Sequence, residues 1–457
     1  MARIHLIYFD IETGYTAGVN HGLASLAAAV RQQGHHFSFH HLTSCEPINA
    51  VIQKARGQDP EIIGFSFTST QKKFVTPYAD ALKGAMGVIQ IAGGVHPTIA
   101  PEEVLNMGFF SGVAIGDAEK SLPELLLRID HNDDISSVHG FWWQGKDGVI
   151  QRNPIPPLDS NLANIPMPDY SIFNTDAIAE ENSGWISVML TRGCPYNCYY
   201  CCNHVLREIY PIKKDYVRLP SVEYAIKLIE NGMSFYSEVK GINFADDLLI
   251  FNQAWFLQFA KLYKEYVGLH YTCNGRIEHC SDEVIIALKE SGCSLVHLGI
   301  ESGSEWLRHN ILNRHPSNQQ IIDTFSRLRQ AKINTLSYNI VGFPFETEKH
   351  MKETLAINKF VKPDMGAVFY FYPFPGTKLF NTCKEYDLLL ELDEELAPSG
   401  YRERFMIKDI HCSEVDCKKV YQKICIFLFS RRLVSSLNLP NIFGTFIYWI
   451  SPVRLTD

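Results

Sequence analysis

Residues Thr191–Cys202 read TRGCPYNCYYCC. Within them Cys194, Cys198 and Cys201 stand in a C-x3-C-x2-C spacing, just past an apolar run, Ile186–Leu190, that reads as a strand. Three thiolates on one short loop can converge on a soft metal centre, and three ligands leave one iron of a cubane open. Gly193 and Pro195 suit a loop that turns tightly around such a centre. Zinc with His204 as fourth ligand is the competing reading, and buried core cysteines are the other. Cys202 competes with Cys201 for the third ligand place. Cys45, Cys273, Cys280, Cys293, Cys383, Cys412, Cys417 and Cys425 show no compact spacing apart from the Cys412/Cys417 pair, and read as ordinary thiols.

Outward from this loop the chain alternates strands and helices. The strand patterns are Ile186–Leu190, Gly241–Phe244, His270–Cys273, Leu295–Gly299, Leu336–Val341 and Ala367–Phe371. Helical periodicity fills the intervals at Ser221–Glu230, Gln253–Tyr266, Asp282–Ser291, Gln319–Ala331 and Glu346–Phe360. Six β/α units predict a parallel barrel or partial barrel, whose chemistry sits at the C-terminal strand ends, where the cysteine loop lies. This core spans residues 181–385, and residues 386–457 read as a helical C-terminal region.

Residues 1–140 alternate in the same way. Strands are expected at Ile4–Phe9, His36–Leu42, Ile62–Phe67, Val88–Ala92 and Gly112–Ile115, with helices between them, which predicts a doubly wound parallel sheet. His35, His36, His40 and His41 crowd the second strand and read as strand and surface positions. Prolines 154, 156, 157, 166 and 168 make residues 141–180 a linker, because repeated proline disfavours helix and central strand. The turn at Thr13–Gly22 fits neither G-x-G-x-x-G nor a phosphate-binding P-loop.

The 457 residues are 46% apolar and 20% charged, which excludes a disordered chain. A net charge of −8 argues against non-specific nucleic-acid binding. The opening MARIHLIYFD has no cleavage site, and the apolar tail at Ile442–Pro452 is shorter than the ~20 residues of a membrane span, so it reads as a buried helix in a cytoplasmic protein.

The cysteine loop, with Tyr200 directly before Cys201, resembles the radical S-adenosylmethionine (SAM) superfamily, which favours Cys201 over Cys202. The resemblance implies that Cys194, Cys198 and Cys201 hold a [4Fe–4S] cluster whose fourth iron is chelated by SAM, and that the reduced cluster cleaves SAM to a 5′-deoxyadenosyl radical. Later segments resemble the family's strand-end motifs in order. Asn243–Asp247 (NFADD), with Asp246, is similar to the segment near the SAM amino group. Asn274-Gly275-Arg276 is similar to the third-strand motif, where Arg276 supports the site. Gly299–Gly303 places Glu301 and Ser302 at the SAM ribose or methionine. Asn339–Glu346 places Gly342 by the adenine, although Tyr338 replaces a leading glycine and Glu346 falls one place late. Pro373–Thr377 is similar to the loop after the sixth strand. Aromatics Phe369–Tyr372 read as core packing ahead of a pocket wall.

The first domain then resembles the (Rossmann-like) cobalamin-binding domain of B12-dependent radical SAM enzymes. The matching residues are Ser66, Thr68, Ser69 and Thr70, then Gly93-Gly94-Val95-His96-Pro97-Thr98, then Gly116-Asp117-Ala118-Glu119. Ser66, Thr68, Thr70, Gly93, Gly94, His96 and Gly116 are the cofactor-binding residues this implies, since paired glycines allow close approach of a bulky ligand. The D-x-H-x-x-G motif is absent, so cobalamin would bind base-off, and His96 lies in the wrong loop to replace the missing ligand. The resemblance implies C-methylation of an unactivated carbon in a small-molecule intermediate. An electron donor such as flavodoxin or ferredoxin would serve the cluster. Radical cyclisation or rearrangement of the porphyrin-cyclase type is the alternative, and a non-catalytic sensor or carrier is another. Methylthiolation of tRNA is disfavoured, because only Cys45 lies in the first 140 residues.

Overall fold

The computed structural model describes residues 1–11, 18–145, 147–390, 405–408 and 418–428. Cys412, Cys417, the tail at 442–452 and half of the turn at 13–22 lie outside these. Two sheets organise the chain. The first has seven strands in the order β2-β1-β3-β4-β5-β6-β7. They are β1 (Arg3–Phe9), β2 (His36–Leu42), β3 (Ile62–Ser66), β4 (Ile89–Gly93), β5 (Gly112–Ala114), β6 (Phe141–Gln144) and β7 (Ile150–Arg152). β1 to β5 pair in parallel and β6 and β7 add antiparallel.

Both faces of this sheet are covered. Ile4, Leu6 and Ile62 pack under the helices His21–Gln32 and Ser121–His131, and Ile7, Phe9, Ile63 and Phe65 under Ile48–Gly57 and Lys72–Met86. That two-sided burial is why the strands read as continuous apolar runs. Asn20 caps the first helix by accepting from the Leu23 N–H. The boundary expected at residue 140 is corrected. Phe141–Gln144 and Ile150–Arg152 belong to the first sheet, and Trp143 covers the bare Gly112 across the β5–β6 pair. An aromatic run and a Gly-Lys-Asp-Gly turn were the available signal, masked by the prolines that follow.

The second sheet has six parallel strands in the order β13-β12-β11-β10-β9-β8. They are β8 (Trp185–Val188), β9 (Gly241–Phe244), β10 (His270–Gly275), β11 (Cys293–Glu301), β12 (Asn334–Val341) and β13 (Met365–Tyr370). The strand order is sequential, as in part of a β/α barrel. The outward side chains Val296, Leu298 and Ile300 of β11 join the helix-covered core with Val284, Leu288, Ile321 and Phe325. Alternate residues on the inner face form a separate small cluster, Leu295, Leu336 and Met365 with Tyr338.

Residues 405–408 and 418–428 pack on the last strands. Phe405 seats against Gly342, Leu428 against Gly366, and Tyr421 stacks on Tyr370 at 4.4 Å. Tyr370 and Phe371 join this packed cluster, whereas Phe369 stands near Tyr338 on the inner face. No helix among the described residues is long and apolar enough to cross a membrane. The crowded histidines do not converge. His40 meets Glu46 at 3.1 Å, His41 meets Asp10 at 3.3 Å, and His5 bonds Ser38 at 2.9 Å.

Candidate active site

The cysteine loop leaves β8 at Leu190. Asp246, at the end of β9, is fully buried and pins the start of the loop. It accepts from the backbone N–H of Leu190 (3.2 Å) and Thr191 (2.5 Å) and from the Thr191 hydroxyl (2.6 Å). Burial pushes its carboxyl up to about 6, against these donors. The next turn needs a glycine. Gly193 has φ +81°, and a Cβ there would lie 2.3 Å from the Tyr216 carbonyl oxygen.

Cys194, Cys198, Cys201 and Cys202 are free thiols, with Cys198 the most buried. Hydrogen-bond donors address two of them. Arg276 Nη1 reaches Cys198 Sγ at 3.2 Å, and Asn203 Nδ2 reaches Cys201 Sγ at 3.7 Å. The neighbouring Cys202 thiol brings Cys201 down to about 7, and Cys202 itself is raised well above the usual thiol range. Burial pushes the unligated Cys194 thiol up to about 12. No three His, Cys, Asp or Glu side chains among the described residues are gathered to hold a single metal ion. His204 Nε2 instead accepts from the Lys378 N–H at 3.3 Å. In a cubane each of the three thiolates binds a different iron.

Beside the loop runs a buried polar chain. Arg314 Nη1 meets the Tyr200 hydroxyl and Glu301 Oε1, both at 3.3 Å, and its Nη2 donates to the Gly299 carbonyl at 2.7 Å. Glu301 closes β11 at a register shift with φ +64°, a region that non-glycine residues rarely adopt. Gly299 makes room for its carboxylate, since a Cβ there would lie 2.3 Å from Glu301 Oε1. On the other side of the cysteines, Arg276 stacks over the Tyr196 ring at 3.5 Å and pairs with Glu278 at 2.7 Å.

At the end of β12, Gly342 takes φ +83°. The fully buried Glu346 carboxylate accepts from the N–H groups of Gly342 (2.5 Å) and Phe343 (3.2 Å) through Oε2, while Oε1 has no partner. Burial pushes its carboxyl from 4.5 up to about 8. The folded chain therefore keeps a proton that the unfolded chain releases above about pH 4.5. Stability from this group is fully present below that pH and is lost as pH rises through about 8. Glu346→Gln is expected to abolish the loss, gaining on wild type by on the order of a few kcal/mol between about pH 5 and about pH 9. Thermal unfolding across that range measures it, and parallel curves for the two proteins would refute it.

The first domain turns its strand ends toward the barrel. Asp117 accepts from Arg192 (2.9 Å) and Arg218 (2.7 Å), and Glu119 pairs with Arg192 at 2.6 Å. Asp117 also takes the Tyr210 hydroxyl at 3.3 Å.

Residues 188–357 match the radical SAM superfamily model, and residues 11–126 match the B12-binding domain model. The chain unites a radical SAM domain with a B12-binding domain. It is an enzyme that carries both domains. A Pyrococcus horikoshii protein described as the uncharacterized methyltransferase PH0819 is 26% identical over 381 residues, covering 83% of this chain and 81% of its own. The anaerobic magnesium-protoporphyrin IX monomethyl ester cyclase of Rubrivivax gelatinosus is 24% identical over 303 residues, 64% of this chain but only 53% of its own. The fold is similar to the radical SAM methyltransferase TsrM of Kitasatospora setae, solved with cobalamin and a [4Fe-4S] cluster. The TM-score is 0.69 at 14% identity, covering 84% of this chain and 78% of that one.

The radical SAM domain fits its groups. Soft thiols with N–H donors at two sulfurs suit a thiolate-held cluster, and the Tyr200–Arg314–Glu301 chain beside them suits a polar, charged ligand such as SAM. Arg314 has no motif around it and was missed by sequence reasoning. Ser302 is corrected as a ligand contact. It is fully buried, its hydroxyl takes the Ser304 N–H (3.2 Å) and faces Thr354 (3.4 Å), and its carbonyl accepts from the buried Arg308. Asp246 is spent on the loop, and the neighbouring Asp247, an exposed residue, is the carboxylate beside Cys194, Cys201 and Cys202.

The B12-binding domain fits at two turns of three. A Cβ on Gly93 would meet only the Ala114 Cβ, at 3.7 Å, so space lies over it. Gly94 has φ +93°, and its Cβ would press on Phe67 N and Ser66 Oγ at 2.9 Å. Thr68 and Thr70 hydroxyls pair at 3.3 Å, and Thr68 also bonds Gln71. Gly116 is corrected. A Cβ there would lie 2.3 Å from the Tyr210 hydroxyl, so the barrel domain fills that space. His96 is buried, with Nδ1 on Ser69 Oγ at 2.9 Å and Nε2 3.6 Å from Glu103.

Proposed function

We propose that the protein transfers a methyl group to an unactivated carbon of a small molecule, with corrinoid bound base-off. When bound, the cluster and SAM supply a hydrogen-abstracting radical and the corrinoid carries the methyl group. The observation that carries this reading is the joining of the two domains, with the cysteine loop of one bound through Arg192 to Asp117 and Glu119 on the Gly116–Glu119 turn of the other. The methyltransferase relative matched over four-fifths of both chains supports methylation ahead of cyclisation.

The residues have distinct tasks in this reading. Cys194, Cys198 and Cys201 hold the cluster, and Arg276 and Asn203 stabilise the charge on two thiolates. Tyr200, Arg314 and Glu301 orient SAM. The salt bridges from Arg192 fix one domain against the other and so set the separation of the two groups. His96 spends Nδ1 on Ser69 and lies in a different loop from the absent D-x-H-x-x-G motif, which supports a cobalt without protein nitrogen. The partners proposed are a small-molecule substrate and a flavodoxin- or ferredoxin-like electron donor.

The test loads the protein anaerobically with iron, sulfide and corrinoid, then adds SAM and a reductant. 5′-Deoxyadenosine is expected to form, and the Co(II) paramagnetic resonance signal is expected without axial nitrogen splitting. Absence of 5′-deoxyadenosine would point to a carrier, and nitrogen splitting would make a histidine the cobalt ligand.

A further inference from the structure

We infer that the inner face of the six-stranded sheet holds a substrate subsite at His297, which accepts a hydrogen bond from a neutral N–H or O–H group on a ring-bearing, largely apolar substrate. This rests on the proposed reading of the chain as an enzyme acting on a small molecule. His297 alternates along β11 with Leu295 below it and Gly299 and Glu301 above it, so it lies between the apolar floor and the site beside the cysteines. Its side chain is buried, with 9% of the residue exposed, and Nε2 has no hydrogen-bond partner. A buried nitrogen without a partner is costly unless something else meets it.

The network around the ring sets what it can accept. Asn274 Nδ2 donates to the Asp246 carbonyl at 2.9 Å, which turns Asn274 Oδ1 toward His297. Nδ1 stands 3.2 Å from that oxygen and must donate to it, so Nδ1 carries the proton. Nε2 is left with a lone pair. Burial lowers the ring to about 4, so it stays neutral and cannot donate through Nε2 near neutral pH. Other polar groups on this face are satisfied among themselves. Thr272 donates to Asn243 at 2.7 Å, and Ser187 meets His21 at 3.0 Å. The surroundings are ring surfaces and aliphatics. Tyr338 meets the His297 ring edge-on at 5.9 Å, and Phe369 lies 6.1 Å from Tyr338. A carboxylate or phosphate would face the lone pair with no donor, whereas a heteroaromatic N–H or a hydroxyl completes the network.

The experiment compares binding of indole with 1-methylindole, and of 2-naphthol with 2-methoxynaphthalene, to the anaerobic, cluster-loaded full chain with SAM present. Equilibrium dialysis reads the affinity. In wild type each donor is expected to bind about tenfold or more tighter than its methylated partner. In His297→Phe the preference should vanish, and in His297→Gln, whose amide can face Asn274 and offer an oxygen inward, part of it should return. Iron and corrinoid content of the variants serve as fold controls. Equal binding of the members of each pair to wild type, binding of none of the four, or a preference that survives in His297→Phe would overturn the inference. A wild-type protein that loads its cofactors but forms no 5′-deoxyadenosine would instead sink the proposed function, so the two failures are separable.

Discussion

Cys201→Ala is expected to lose the cluster and all SAM cleavage, whereas Cys202→Ala is expected to keep both. The two residues are adjacent, and spacing alone does not choose between them. Their surroundings do. Cys201 receives the Asn203 amide at 3.7 Å and the Cys202 thiol, and is held down to about 7. A thiolate is the ligating form, so the site favours ligation through Cys201. The Cys202 thiol, beside Cys201, is raised well above the usual range. Loss of one cluster thiolate removes a covalent iron ligand, so iron content should fall from about four per chain toward zero. Loss of Cys202 removes no cluster ligand and should leave the iron content unchanged. Iron and sulfide analysis with 5′-deoxyadenosine formation gives the answer. A Cys202→Ala protein without a cluster, beside a Cys201→Ala protein that retains one, would reverse the assignment.

Most of the fold was legible because it rests on local regularities. Apolar runs such as Ile62–Phe65 and helical stripes such as Gln253–Tyr266 repeat with short turns between them, and the parallel order follows. The hairpin Phe141–Arg152 was hidden because five prolines follow within a few turns of chain. The site was legible where one short motif carries the chemistry, as in the cysteine loop. It was not legible where a role depends on a partner distant in sequence. Arg314 reaches Tyr200 and Glu301 from a loop with no motif. Ser302 looks like a ligand contact beside Glu301, yet the reversal at Glu301 turns it toward Thr354. Gly116 looks like room for a cofactor until Tyr210 from the other domain is seen filling it. Each is a long-range contact that strand periodicity does not encode.

The neighbouring glycines of the B12-binding domain should separate fold from ligand. Gly94→Val is expected to abolish corrinoid binding while leaving iron content intact. The reason is conformational. Gly94 sits at φ +93°, and a side chain there would meet the Phe67 backbone and the Ser66 hydroxyl at about the same 2.9 Å. The turn joining β4 to the Val95–Ile99 helix would have to shift, carrying His96 and Thr98 with it. Gly93 is different. Its φ is not in the left-handed region, and a Cβ would make only an ordinary 3.7 Å contact with Ala114. Gly93→Ala therefore leaves the empty domain unstrained. If corrinoid lies over this strand end, the added methyl enters its space and weakens binding, while thermal unfolding of the corrinoid-free protein stays at the wild-type temperature. Corrinoid titration and unfolding of both variants, each with its iron content measured, decide the matter. Undiminished corrinoid binding in Gly93→Ala would place the ligand away from the β4 turn, and undiminished binding in Gly94→Val would remove this turn from the binding site altogether.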